Sequence, residues 1–91
     1  MIKRALIVKD PYATEIVKGE KPEEYRNART TFRERIGIIK AGTKTIIGEV
    51  DLVDCQETWD GYAWVLENPI QYKIPKPYKH PPGAQIWVKL R

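Results

Sequence analysis

The sequence predicts an α+β domain: a small β-barrel of five or six mostly antiparallel strands with one or two short helices. Three observations lead there. Short apolar runs rich in branched side chains recur along the 91 residues, each bounded by charged or turn-forming residues, as strands require. Seven prolines and six glycines punctuate these runs and keep every element short. A helix start and a helix stop occur together once, close to the beginning of the chain. Many short strands and one good helix imply a curved or closed sheet, with the helix plugging one end.

Arg4 to Lys9 (RALIVK) is the first such run and reads as a buried strand. Asp10 can cap a helix that begins at Pro11, whose missing amide proton is no loss there, and Gly19 can end it in a left-handed conformation. The helix therefore spans Pro11 to Lys18, with Tyr12, Ala13 and Ile16 on its inner face. Lys21 precedes a proline and is pushed out of helical geometry, so Lys21 to Arg26 is extended. Alternation puts Glu24 and Arg26 on one face of that segment. Asn27 to Glu34 holds one large apolar side chain, Phe32, and reads as a mobile basic loop carrying Arg29 and Arg33. Arg35 to Lys40 and Thr45 to Asp54 form two strands joined by a hairpin turn, and Gly48 in the second marks a bulge or a close backbone approach. Tyr62 to Glu67 is a further strand that Asn68-Pro69 stops. Four prolines confine Ile70 to Gly83 to edge strands and turns, and Ala84 to Leu90 closes the chain as a strand.

Residues 1–91 read as a single domain. A chain of this length buries only about 60 to 65% of its unfolded surface, so large machinery is excluded. No apolar run approaches the roughly 18 residues of a membrane span, and the run from Ala5 to Val8 is too short for the apolar region of a secretory signal, which makes the cytoplasm the expected location. Cys55 is the sole cysteine, and with His80 it supplies too few ligands for a zinc site. Neither a metal nor a cofactor is expected. The net charge of +4 is segregated: residues 1–45 carry eleven basic and six acidic side chains, whereas all six acids of the second half fall between Glu49 and Glu67. A positive side of this kind suits phosphate or carboxylate, although an ordinary basic surface fits too.

The segment Gly19-Glu20-Lys21-Pro22-Glu23-Glu24-Tyr25-Arg26 resembles the Gly-x-Lys-x-x-Glu-x-Arg signature of the ASCH domain, the activating signal cointegrator homology family. The resemblance continues through Arg35 to Ile39, Ile47 to Cys55, Trp64 to Pro69 and Gly83 to Val88. It implies a PUA-like β-barrel with a cleft built partly from the signature, in a superfamily whose members bind RNA, read modified bases or bind DNA. A divergent branch hydrolyses N4-acetylcytidine with a lysine at the position of Lys21. There a threonine stands where this chain has Glu24, a carboxylate that attracts the ammonium rather than assisting it.

These residues define the candidate site. Lys21 can hold phosphate as a point charge or, in an enzyme, act with Glu24 in catalysis. Glu24 and Arg26 can form an ion pair that leaves guanidinium donors for a phosphate or base edge. Tyr12 and Trp64 are candidates to stack on bases, and core packing is the other reading of Trp64 and of Trp87. Gly19 admits a close approach or simply caps the helix. Asn68 can bond a base edge or terminate its strand. Arg29 and Arg33 add sequence-independent attraction. Glu49 and Asp51 share a strand face, as an acid-base pair or a divalent-ion site would require, or as a wet face would. His80 reads as a surface turn residue. The leading expectation is a module binding single-stranded RNA, DNA or a modified nucleotide. The alternatives are a small ribonuclease or amidohydrolase and a protein-interaction domain.

Overall fold

A computed structural model describes residues 2–90. In chain order the elements are β1 (Arg4–Val8), α1 (Tyr12–Val17), β2 (Glu23–Arg26), β3 (Arg35–Lys40), β4 (Thr45–Thr58), β5 (Gly61–Pro77) and β6 (Trp87–Lys89). The strands form one sheet in the order β2-β5-β4-β3-β1-β6. Every neighbouring pair is antiparallel except β1 and β3. That parallel pair needs a crossover, which α1 and β2 supply.

Helix α1 is one residue shorter at each end than the capping signals suggest. Pro11 stands at the N-cap and Lys18 at the C-cap, and Asp10 still accepts from the Thr14 amide at 3.1 Å and hydroxyl at 2.7 Å. Ala13, Ile16 and Val17 are its buried face, and Tyr12, expected to pack inward, is 52% exposed instead because it stands in the first helical position, beyond the reach of the core. They pack on Leu6, Ile36, Ile38, Val50, Leu52 and Leu66, a core with a large apolar area withdrawn from water. Gly48 lies where this packing is tightest. A Cβ there would stand 2.7 Å from Val17 Cγ1 and collide with the Ile70 carbonyl, so the close approach expected of this glycine is real.

Three further expectations are corrected. Asn68-Pro69 does not end its strand: Glu49 pairs with Ile70 and Asp51 with Glu67, so Asn68 and Pro69 together face Val50 in a bulge. Asn68 adopts φ 53, a left-handed conformation that asparagine tolerates, and the ladder runs on to Pro77. The loop from Asn27 to Glu34 is pinned: Thr30 is buried and Ala28 O accepts from Trp64 Nε1 at 3.0 Å. Phe32 of the loop meets Trp87 edge-to-face at 5.2 Å, and both tryptophans lie too far along the chain for local patterning to link them to the loop.

The third correction concerns the barrel. Strands β2 and β6 are the free edges of the sheet and do not pair with each other, so the sheet is curled but not closed. Side chains span the resulting seam. Arg26 of β2 donates through Nη2 to Ile7 O of β1 at 2.8 Å. Trp64 of β5 stacks on Trp87 of β6, with centroids 5.7 Å apart and planes inclined by 12°. Edge strands of four and three residues are too short to complete a ladder, and the seam is where the molecule is left open.

Candidate functional site

The signature segment forms one wall of the seam. Gly19, at φ 82, turns the chain out of α1, and Glu15 O then accepts from the amides of Glu20 and Lys21 at 2.9 and 3.2 Å. Pro22 sends the chain into β2, where alternation aims Glu24 and Arg26 inward and Glu23 and Tyr25 outward. Glu24 is 8% exposed. Its Oε2 accepts from Arg26 Nε at 2.8 Å, and its Oε1 lies 4.0 Å from Lys21 Nζ. A buried carboxylate requires such partners, and here two cations share it.

Lys21 is held on every side. Its ammonium donates to Glu23 O at 2.6 Å and lies 4.8 Å from the Tyr25 ring centroid and 5.6 Å from that of Tyr12, distances at which a cation is attracted to an aromatic face. Tyr25 in turn donates to Glu23 Oε1 at 2.6 Å, and that bond raises the Tyr25 phenol above its ordinary value. Between this wall and β1 lies a cleft of about 560 Å³, lined by Ile7 to Lys9, Tyr12, Lys21, Glu24 to Arg26, Ala41 and Gln85. Such a volume suits one small ligand or nucleotide. Sequence patterning does not mark Lys9, Tyr25 and Gln85 as lining residues: Tyr25 alternates out of the core, and only the curl of the sheet brings Lys9 and Gln85 to β2.

The other sequence candidates fall elsewhere. Gly19 shapes the turn and meets Pro69 rather than the cleft. Trp64 is 2% exposed and packs under Arg26, whose guanidinium carbon is 5.7 Å from its ring centroid. The indole belongs to the core of the seam, so the open stacking platform expected of it is corrected; the exposed aromatics beside Lys21 are Tyr12 and Tyr25. Arg29 lines a neighbouring cleft, and Arg33 turns back on its own loop, donating to Thr30 O at 3.0 Å and Phe32 O at 2.8 Å.

Asn68 belongs to a second polar cluster. It donates through Nδ2 to Asp51 Oδ2 at 3.0 Å, while Arg35 reaches Glu49 Oε1 at 2.7 Å and Asp51 Oδ1 at 2.9 Å, and Tyr72 donates to Glu49 Oε2 at 2.6 Å. All four carboxylate oxygens are thus engaged, and neither acid lines the Lys21 cleft. The Tyr72 hydroxyl bond and then Arg35 hold Glu49 below the usual carboxylate range; the Asn68 amide and then Arg35 do the same for Asp51. Burial, reinforced by Glu49, pushes Tyr72 up to about 12. His80 is no loose turn residue: Nε2 donates to Ala84 O at 3.0 Å and Nδ1 meets the Tyr78 hydroxyl at 2.8 Å. Among the described residues no group of three metal-ligating side chains is placed to hold an ion, and no helix is long and apolar enough to cross a membrane.

The protein is thus a small α+β domain: a curled sheet with a side-chain-bridged seam, and beside it a cleft of paired cations and tyrosines around one buried carboxylate. The ASCH domain family model matches residues 6–79, and the chain belongs to that family. That match takes in both walls formed by β1 and β2 and ends before β6. A search of curated proteins finds no match.

Proposed function

We propose that the chain is a nucleic-acid binding module that takes single-stranded RNA, through one nucleotide in the Lys21 cleft. The observation that carries this reading is the sharing of Glu24 by Lys21 and Arg26, which fixes two cations on one wall while each keeps donors for a ligand. Among the described residues no hydrogen-bond partner faces Arg26 Nη1, and Lys21 commits one of its three donors. Phosphate or a base edge is what such donors bind. Tyr12 and Tyr25, both more than half exposed, are the stacking surfaces. Membership of a family generally linked to RNA binding supports the same reading. A modified nucleotide fits the cleft by the same chemistry, and DNA differs only at the 2′-hydroxyl.

A hydrolytic role for Lys21 and Glu24 has less support. Glu24 is already bound at 2.8 Å by Arg26, and Lys21 lies beside that carboxylate and donates to a carbonyl as an ammonium does, an arrangement that suits holding a ligand better than taking up a proton from it. The test is binding of a short mixed-sequence single-stranded RNA at near-physiological salt. Lys21→Ala, which leaves the Glu24–Arg26 pair in place, is expected to weaken it about tenfold or more, and adding Arg26→Ala to abolish it. Unchanged affinity in the double variant contradicts the proposal.

A further inference from the structure

The seam holds a second cleft. It measures about 490 Å³ and is lined by the loop from Asn27 to Phe32, by Arg26 and Trp64, and by Ile86 and Trp87 of the opposite edge. Its character differs from that of the Lys21 cleft. The aromatic wall is built from Trp87, which stacks on Trp64 and meets Phe32 edge-to-face at 5.2 Å with planes at 88°. Ile86, 45% exposed, forms an apolar lip, and Arg29 supplies a cation at the rim. The other side is loop backbone and short polar side chains, held rigid by the Trp64 to Ala28 hydrogen bond at 3.0 Å.

One residue lines both clefts. Arg26 is fixed by Glu24 through Nε and by Ile7 O through Nη2, so its guanidinium forms the partition between them, with Nη1 left for a ligand. A guanidinium on the ridge between two nucleotide-sized hollows meets the group that links two nucleotides, a phosphodiester.

We propose that the aromatic cleft is a second base subsite, which takes the nucleobase adjacent to the one in the Lys21 cleft, with the intervening phosphate on Arg26. This rests on the nucleic-acid reading above and deepens it: the ligand is a dinucleotide unit laid along the open seam of the sheet. An apolar wall with a polar backbone opposite suits a base, whose faces are apolar and whose edges hydrogen-bond.

The experiment compares the four 5′-ribonucleotides with their 5′-phosphorylated homodinucleotides by calorimetric titration at near-physiological salt. For at least one base the dinucleotide is expected to bind about tenfold or more tightly, the lower range for one base on an aromatic wall. Ile86→Glu, which places a carboxylate at the lip without removing a core side chain, is expected to bring the dinucleotide to within about threefold of the mononucleotide while mononucleotide affinity stays unchanged. Mononucleotide binding with no gain from the second nucleotide overturns the second subsite and leaves the Lys21 cleft standing. A gain that survives Ile86→Glu overturns the placement of the second base. Failure of every nucleotide and dinucleotide to bind removes both readings together.

Discussion

Arg26 and Glu24, two residues apart on one strand face, form a 2.8 Å ion pair at the open seam of the sheet, and the same guanidinium reaches across that seam to Ile7 O. The pair therefore both bridges the seam and lines the cleft beside it. Glu24→Ala leaves Arg26 and Lys21 without their shared counter-charge. Because Arg26 retains solvent access, the expected loss is about 2 kcal/mol rather than the larger cost of a fully buried pair, measured by urea denaturation. A loss under about 0.5 kcal/mol would mean an ordinary surface bridge.

Gly48 carries a packing prediction. Gly48→Ala drives a methyl group against Val17 and the Ile70 carbonyl, so either α1 or the β4–β5 ladder must shift. Overpacking of this kind costs about 2 to 3 kcal/mol, visible as a lowered urea midpoint. Gly42→Ala is a contrasting control: its new Cβ meets nothing within 4 Å, so the cost comes only from φ 85.

The Arg35 cluster predicts an acid response. Glu49 and Asp51 titrate below their ordinary values of 4.5 and 3.8 in the folded chain, so the folded state binds fewer protons than the unfolded one over that interval. Their contribution is complete above pH 4.5 and is lost as pH falls through the depressed values. Arg35→Met removes one of the causes for each acid. It should lower stability at neutral pH and flatten its decline between about pH 5 and pH 2. A decline as steep as in the parent would place the acid sensitivity elsewhere.

Tyr72 gives the opposite sign at the alkaline end. Its phenol rises from 10.0 to about 12 on folding, so its contribution is full below pH 10 and is lost as pH climbs toward 12. Ultraviolet titration should show a late phenolate transition near that value in the folded protein, absent from Tyr72→Phe. If the transition persists in that variant, another tyrosine is responsible.

Local chemistry made much of the fold legible. The strand from Arg35 to Lys40 has the limits its pattern suggests, and Gly48 announced a close approach because glycine inside an apolar strand has few other uses. Glu24 and Arg26 could be placed together from alternation alone. What alternation cannot give is the course of a ladder through a bulge: Asn68-Pro69 reads as a stop signal, yet a left-handed asparagine backed by Asp51 lets β5 continue. Nor can sequence show which edges of a curled sheet fail to meet. The placement of Gln85 and Lys9 beside Lys21, and the burial of Trp64 against Trp87, follow from that unclosed seam and from contacts between residues far apart in the chain.

The most direct test of the central claim is an amide NMR titration of the labelled protein with a short single-stranded RNA of mixed sequence, at low and at near-physiological salt. A basic chain binds any polyanion weakly at low salt, so position and salt response decide the matter. Shifts are expected to concentrate from Lys21 to Arg26, around Tyr12 and at Gln85 to Trp87, and to persist at the higher salt. Shifts scattered over the basic surface that vanish with salt would contradict it.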